Sequence, residues 1–342
     1  MKWTAFMRFV YLVLAWLIHL LKITRLTTIV FIVREGLNVV SHKVQTIVLT
    51  VLKLFIALGL VNFSYAKEFS LPAENSRLIG ELQYHQIVKG DYFQMLAEKY
   101  DVGFLALMAA NPGVDPFLPP EGAQLVIPNE MLLPFGKREG IIVNLPELRL
   151  YYFPPNENSV HVFPVGIGRQ GLATPKTVSY ISEKREDPVW RPTEEMKARY
   201  FSQHGRKLAD EVAAGPNNPF GKYALRLGTS VFLLHGSNQR FGIGMRASSG
   251  CIRLYDADIK WLYHNVDIGT PIRIVEQNIK LSYEANKKLI EVHSPLTPED
   301  SATEPLISST VKRFVGNLPE NTKILAEQIK QPKGLVAELA VN

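Results

Sequence analysis

Between Gly140 and Val275 the apolar residues arrive in short runs rather than helical stripes, and this constrains the fold more than any other feature of the chain. Residues 141–144 and 148–152 flank a Leu145-Pro146-Glu147 turn and read as a hairpin, because short apolar runs bounded by turn residues suit pleated strands. Further strands are expected at 160–165, 178–182, 222–226, 231–234 and Pro271–Val275, with a single helix at 256–263. The expected fold class is therefore mostly β.

In front of that segment, residues 84–128 have a different rhythm. Tyr84 to Val88 alternates as a strand, and Gly90-Asp91 supplies a turn and a helix-starting Asp. Phe93, Leu96, Ala97 and Tyr100 then fall on one helical face, which Gly103 ends. Leu105, Met108 and Ala109 mark a second helix stopped by Asn111-Pro112-Gly113, and 125–128 reads as a closing strand. This βααβ order, with its Gly-Asp opening, Ala-Asn-Pro junction and Leu-x-Ile-Pro ending, resembles a LysM domain. The resemblance implies binding of N-acetylglucosamine-containing glycan, while Tyr92 in place of the usual Thr and a long Pro-rich 112–122 loop fit a spacer equally well.

The chain carries 38 Lys and Arg against 32 Asp and Glu, a balance that suggests an acidic partner until the charge is located. Residues 1–66 hold seven of the basic residues and only Glu35 as an acid, leaving 31 of each sign beyond them. A nucleic-acid partner loses its support. Residues 54–61 are apolar, follow Lys43 and Lys53, and precede Ser64-Tyr65-Ala66, the pattern of an export signal cleaved after Ala66. The expected location is the periplasm. The earlier apolar run 9–21 is shorter than the ~20 residues a bilayer span needs. It reflects either a start placed upstream of the signal or an uncleaved segment that keeps the protein on the inner membrane.

Cys251 is the only cysteine, which rules out an intramolecular disulfide framework. The eight His residues are scattered without the paired spacings of a zinc site, and neither a metal nor a cofactor is expected. Gly166-Ile-Gly168-Arg-Gln-Gly171 matches a dinucleotide fingerprint, but that motif must open a helix to hold a pyrophosphate, and here Thr174-Pro175 and a strand follow. These glycines read as a turn between strands.

The chemistry concentrates between Val231 and Trp261. An apolar strand delivers His235 and Gly236, and sixteen residues later Cys251 sits in Ser248-Ser249-Gly250-Cys251-Ile252-Arg253. A thiol near pKa ~8.5 is mostly protonated at neutral pH, and an adjacent imidazole that takes or shares its proton makes an activated nucleophile, expected as a thiolate–imidazolium pair. Gly250 lets backbone approach the thiol, so that amides near Cys251 can hold an oxyanion. Arg253 offers a fixed charge suited to a carboxylate, or else an ion pair with Asp256 or Asp258. Ser248 is either a hydrogen-bonding member of the loop or a turn residue, and Arg246 and Asn238 either line the cleft or solvate its loop. Trp190 reads as packing.

At these residues the sequence resembles the L,D-transpeptidase (YkuD-type) catalytic domain family, whose pattern is His-Gly followed after a loop by Ser-x-Gly-Cys-[Ile/Val]-[Arg/Asn]. Pro164-Val-Gly-Ile-Gly168, Thr174-Pro175, Trp190-Arg-Pro192, Ala214-Gly-Pro-Asn-Asn-Pro219 and Phe241-Gly-Ile-Gly244 look like its enterobacterial branch, which includes enzymes that anchor an outer-membrane lipoprotein and enzymes that form 3,3-crosslinks. The resemblance implies a β-sandwich catalytic domain over 139–276, with Cys251 as nucleophile, His235 as base and the Gly236 carbonyl orienting the imidazole. It implies peptidoglycan tetrapeptide stems as substrate and an amine acceptor on a lipoprotein Lys or a diaminopimelate side chain. Ser249 stands where many relatives have His, which removes one substrate or oxyanion contact. A hydrolase of the same fold would keep the same two residues and admit water, and a wall-binding protein would need neither. Residues 277–342 are expected to be a polar, Pro-dotted and partly helical extension, with a clear period only over 321–330.

Overall fold

The computed structural model describes residues 67–296 and 307–341. The expected export segment lies outside them. No helix of the described residues is long and apolar enough to cross a membrane.

The chain enters as an edge strand, β1 (Lys67–Ser70), followed by β2 (Leu78–Ile79) and β3 (Gln83–Gln86). Two short helices come next, α1 (Phe93–Lys99) and α2 (Phe104–Ala110), then β4 (Gln124–Ile127) and β5 (Met131–Leu132). β3 and β4 pair antiparallel, so residues 83–127 have the expected βααβ order around Phe93, Leu96, Leu107, Leu125 and Ile127. Asp91 is not the helix cap. Its carboxylate accepts from the Val88 amide and meets His85 Nε2, both at 2.8 Å, closing the turn before α1, while Tyr92 holds the cap position with no side-chain bond. Asn111 links α2 to β4, donating to the Leu107 and Val126 carbonyls and accepting from the Val126 amide.

The central sheet takes β6 (Gly140–Asn144), β7 (Arg149–Phe153), β8 (Ser159–Pro164), β10 (Thr177–Glu186), β11 (Tyr223–Leu227), β12 (Leu233–His235), β14 (Ile252–Arg253) and β15 (Pro271–Val275). With β1 at one edge its order is β1-β8-β7-β6-β15-β10-β11-β12-β14. Two short strands, β9 (Ile167–Gly168) and β13 (Arg246–Ser248), pair separately. β10 belongs to both halves: Thr177–Tyr180 pair with β15, Ile181–Glu186 pair with β11, and a register shift between Ile181 and Glu183 lies at the start of the second pairing. Such an irregularity bends a strand and increases its twist, so the sheet curls there and its halves enclose one core. Ile141, Val143, Leu150 and Phe163 come from one half and Leu225, Leu234 and Ile252 from the other, with Ile259 and Leu262 of a helix between. Burying each such side chain contributes about 1.5–3 kcal/mol. That helix, α4 (Asp256–Asn265), follows α3 (Glu194–His204) in chain order.

Within 277–342 the partly helical character expected is present, over the described residues 277–296 and 307–341, together with strands that the sequence reading lacked. β16 (Ile279–Glu284), β17 (Lys287–Val292) and β18 (Val336–Leu339) form a three-stranded antiparallel sheet covered by α5 (Ser309–Val315) and α6 (Pro319–Lys330). Leu281, Ile290, Val292, Val311, Phe314, Leu325 and Leu339 make their own core.

Candidate active site

The central sheet brings the two chemically distinctive residues together at its last edge. β12 and β14 pair parallel with Leu234 opposite Ile252 and His235 opposite Arg253, a register that sets Cys251, just before β14, beside Leu233 and two residues from His235, and both residues border one cavity. Residues 236–250 make the crossover that parallel pairing requires. Within it Ser248 Oγ donates to the Cys251 carbonyl at 2.5 Å and accepts the Gly250 amide at 3.1 Å. Ser248 is thus a hydrogen-bonding member of the loop. Gly250 has φ +105°, and a Cβ there would meet the Phe232 ring at 2.8 Å, so a side chain would displace the turn that aims the thiol. The glycine turn upstream buttresses the same loop. Gly168 N donates to Thr174 Oγ1 and Thr174 Oγ1 donates to the Gly250 carbonyl, both at 2.9 Å, while Arg169 N donates to the Ser248 carbonyl at 3.0 Å. No helix follows this turn, in agreement with its reading as a junction between strands.

His235 is 3 % exposed, with Phe220 against its ring. Its Nδ1 lies 2.6 Å from the Gly236 carbonyl oxygen. Because a carbonyl only accepts, Nδ1 carries the proton and Nε2 is the free base nitrogen. Burial pushes His235 down to about 3, against the raising effect of the Gly236 bond, and Arg253 lowers it further. Burial pushes the Cys251 thiol up, opposed by the Leu233 amide and by Arg253. Both shifts favour uncharged forms. Each shift runs against the thiolate–imidazolium pair expected from the sequence.

Two cavities meet at the thiol. The larger, about 540 Å³, is bordered by Cys251, Ser249, Phe232, Trp190, Glu183 and Arg226. The smaller, about 230 Å³, is bordered by Cys251, His235, Ser248, Arg253, Arg169 and Arg199. A free thiol beside a base whose tautomer is set by a backbone carbonyl, opening on two spaces, is an arrangement for acyl transfer.

The comparisons agree with that chemistry. Residues 138–274 match the YkuD family, described as the L,D-transpeptidase catalytic domain. The probable L,D-transpeptidase YcfS of Escherichia coli K12 is 46 % identical over 268 residues, covering 77 % of this chain and 83 % of that protein. The probable L,D-transpeptidase YbiS of the same strain is 37 % identical over 295 residues, 83 % of this chain and 96 % of the relative. The chain belongs to the L,D-transpeptidase family.

In this L,D-transpeptidase the remaining sequence-predicted residues divide. Arg253 borders the smaller cavity, and no carboxylate among the described residues pairs with it. Asp256 instead accepts the Ser237 amide, and Asp258 is buried with its carboxyl pushed well up by desolvation. Ser249 borders both cavities. Asn238 is exposed, and Arg246 lies on β13 with a buried Nε that has no partner; neither borders the cavities at Cys251. Trp190 does more than pack, since it borders both. Helix α3 and its Arg199 escaped the sequence reading altogether. None of the α3 side chains is buried, so no apolar stripe marks it. Its ends do carry a signal: Thr193 accepts the Met196 amide, Glu194 and Glu195 fill the first turn, and Gly205 takes the left-handed conformation that stops it.

Proposed function

We propose that Cys251 is the nucleophile and His235 the proton carrier of an acyl transfer on peptidoglycan tetrapeptide stems. The observation that carries the reading is the His235 Nδ1 contact with Gly236, which leaves Nε2 as an acceptor in the cavity that the thiol borders. The stem's meso-diaminopimelate L-centre carbonyl carbon forms a bond to Sγ as the thiol proton passes to Nε2. The tetrahedral oxyanion takes its donors from turn amides other than that of Gly250, which is engaged by Ser248. On collapse the C–N bond breaks, the proton moves from Nε2 to the departing nitrogen, and D-Ala leaves a thioester. An amine then attacks the thioester carbonyl, gives its proton to Nε2, and the thiol is regenerated as the new amide forms. No metal or cofactor has a role in this scheme.

Cys251 borders two cavities, so the acyl part of the donor can stay in one while the other holds first the leaving group and then the amine acceptor that replaces it. The acceptor is a lipoprotein Lys or a second diaminopimelate side chain. The βααβ unit at 84–128 brings the enzyme to glycan, raising the local concentration of stems. The protein acts in the periplasm after export by residues 54–66. Mass spectrometry of products from purified muropeptides, with and without a lipoprotein C-terminal peptide, tests the scheme: amide products with loss of D-Ala support it, and simple hydrolysis with either acceptor refutes transfer. N-terminal sequencing of the exported form, expected to start at Lys67, tests the leader.

A further inference from the structure

The two cavities at Cys251 differ in charge as well as size. The larger is bordered by Glu183 and Glu195 with Arg185, Arg191, Arg226 and Arg199, the last shared with the smaller, and each of these cations meets a carboxylate: Arg226 and Arg185 meet Glu183, Arg191 meets Glu211 and Arg199 meets Glu195. The smaller is bordered by three guanidinium groups, those of Arg169, Arg199 and Arg253, and by no Asp or Glu. Among the described residues no carboxylate pairs with Arg169 or Arg253, and the Arg253 Nε is buried without a partner. Arg199 reaches from α3 to within 3.5 Å of Ser249 Oγ, held only by an exposed helix pair with Glu195 at 3.4 Å. Pairs of that kind contribute about 0.3–0.5 kcal/mol and yield readily to a better acceptor.

We infer that the smaller cavity receives the leaving residue of the donor stem and reads its free α-carboxylate through Arg169, Arg199 and Arg253. This inference rests on Cys251 being the nucleophile. In a C-terminal amino acid the carboxylate carbon stands two bonds beyond the scissile nitrogen, so a carbonyl at Sγ places that anion beside the thiol. A carboxylate matches a guanidinium fork geometrically and relieves the mutual repulsion of three cations in a partly desolvated space. A cavity of about 230 Å³ has room for one small residue, whereas the rest of the stem requires the larger space. The consequence is a preference for stems whose terminal carboxyl is free over stems amidated there.

The test compares a tetrapeptide donor bearing a free carboxylate with the same peptide as a C-terminal carboxamide. Wild-type enzyme is expected to favour the carboxylate in kcat/KM by roughly tenfold to a hundredfold, the range of a hydrogen bond to a charged group. Arg199→Gln and Arg169→Gln should each shrink that ratio by roughly tenfold, chiefly through KM, and Arg199→Lys should restore part of it. Labelling of Cys251 by iodoacetamide, mapped by mass spectrometry, should proceed in every variant and reports an intact site. A readout free of variants is product inhibition, where D-alanine should inhibit wild-type enzyme at lower concentration than D-alaninamide. Equal kcat/KM for the two donors, an unchanged ratio in both Gln variants, or equal inhibition by the two products overturns the inference. Failure of the underlying reading looks different: turnover would survive in Cys251→Ala.

Discussion

Two polar regions of this enzyme are both buried, and they handle charge in opposite ways. Beneath the β6–β7 hairpin, Lys280 Nζ lies 2.8 Å from Glu147 and 2.9 Å from Glu291, with all three side chains fully buried. Arg149 approaches the same carboxylates at 3.2 and 3.4 Å, His293 Nε2 is 2.7 Å from Glu291, and the Leu132 amide donates to Glu291 at 2.6 Å. Two carboxylates face Lys280 and Arg149, and with Asn144 on the second oxygen of Glu147 every carboxylate oxygen is engaged. At the Cys251 edge the balance is left open: among the described residues no carboxylate pairs with Arg253 or Arg169, and burial disfavours charge on both Cys251 and His235. Closed charge ties the C-terminal sheet to the catalytic domain. Open charge is left for a ligand to complete.

The comparison is most sharply tested by removing one member from each side. Cys251→Ala should abolish thioester formation and D-Ala release, by at least roughly a thousandfold, while leaving the melting temperature nearly unchanged. Survival of turnover would sink the assignment. Lys280→Met should do the reverse, costing about 3–5 kcal/mol in denaturant unfolding because two carboxylates lose their cation in the interior. The fraction that remains folded should keep its specific activity. A loss under about 1 kcal/mol would mean that water reaches the cluster and that it is not closed.

Acid should unfold the protein through both regions, for different reasons. Glu147 and Glu291 are held below the ordinary carboxylate value of 4.5, chiefly by Lys280 working against burial, so their contribution is present above that value and is lost as pH falls below it. His235 is held at about 3 against 6.5 when free, so between those values the unfolded chain binds a proton that the folded one refuses. Stability therefore rises with pH across that window, by up to ~1.4 kcal/mol per pH unit from this one group. Thermal melts from pH 3.5 to 7.5 should show a shallower slope in His235→Gln than in wild type, and identical slopes would show that the imidazole is solvated. The same variant should keep only a trace of activity, rising toward alkaline pH as the thiol ionises unaided.

The smallest expected effect lies in the support of the loop. Thr174→Val removes the hydroxyl that joins Gly168 to Gly250 and should cost about 1 kcal/mol and a few-fold in kcat. If kcat is untouched, the Gly166–Gly171 turn does not position the thiol.

The strands of the central sheet were legible in the sequence because most of their inward residues are apolar, and Pro271–Val275 and the hairpin around residue 146 emerge nearly as expected. β16 and β17 were not. Their inward positions include Lys280, Ser282 and Glu291, with His293 just past the end of β17, all buried, so a strand that faces a charge cluster reads as a solvated one. Helix α3 was hidden for the opposite reason, since it buries nothing and no periodicity is required of it. Both failures come from one rule: hydrophobic period reports burial only when burial is apolar.

What the sequence by itself determined was the mostly-β class, the βααβ rhythm in front, and the choice of Cys251 and His235 as the residues to look for, which border one cavity, because each follows from local residue types at short spacing. Tertiary structure alone decided the rest. Which imidazole nitrogen is free depends on the Gly236 carbonyl, and how far charge is disfavoured on thiol and base depends on how deeply the curled sheet buries them. The company of Arg169, Arg199 and Arg253 at one cavity depends on a turn, a helix and a strand distant in the chain. Burial and charge proximity are properties of position in space, and a linear order of residues does not carry them.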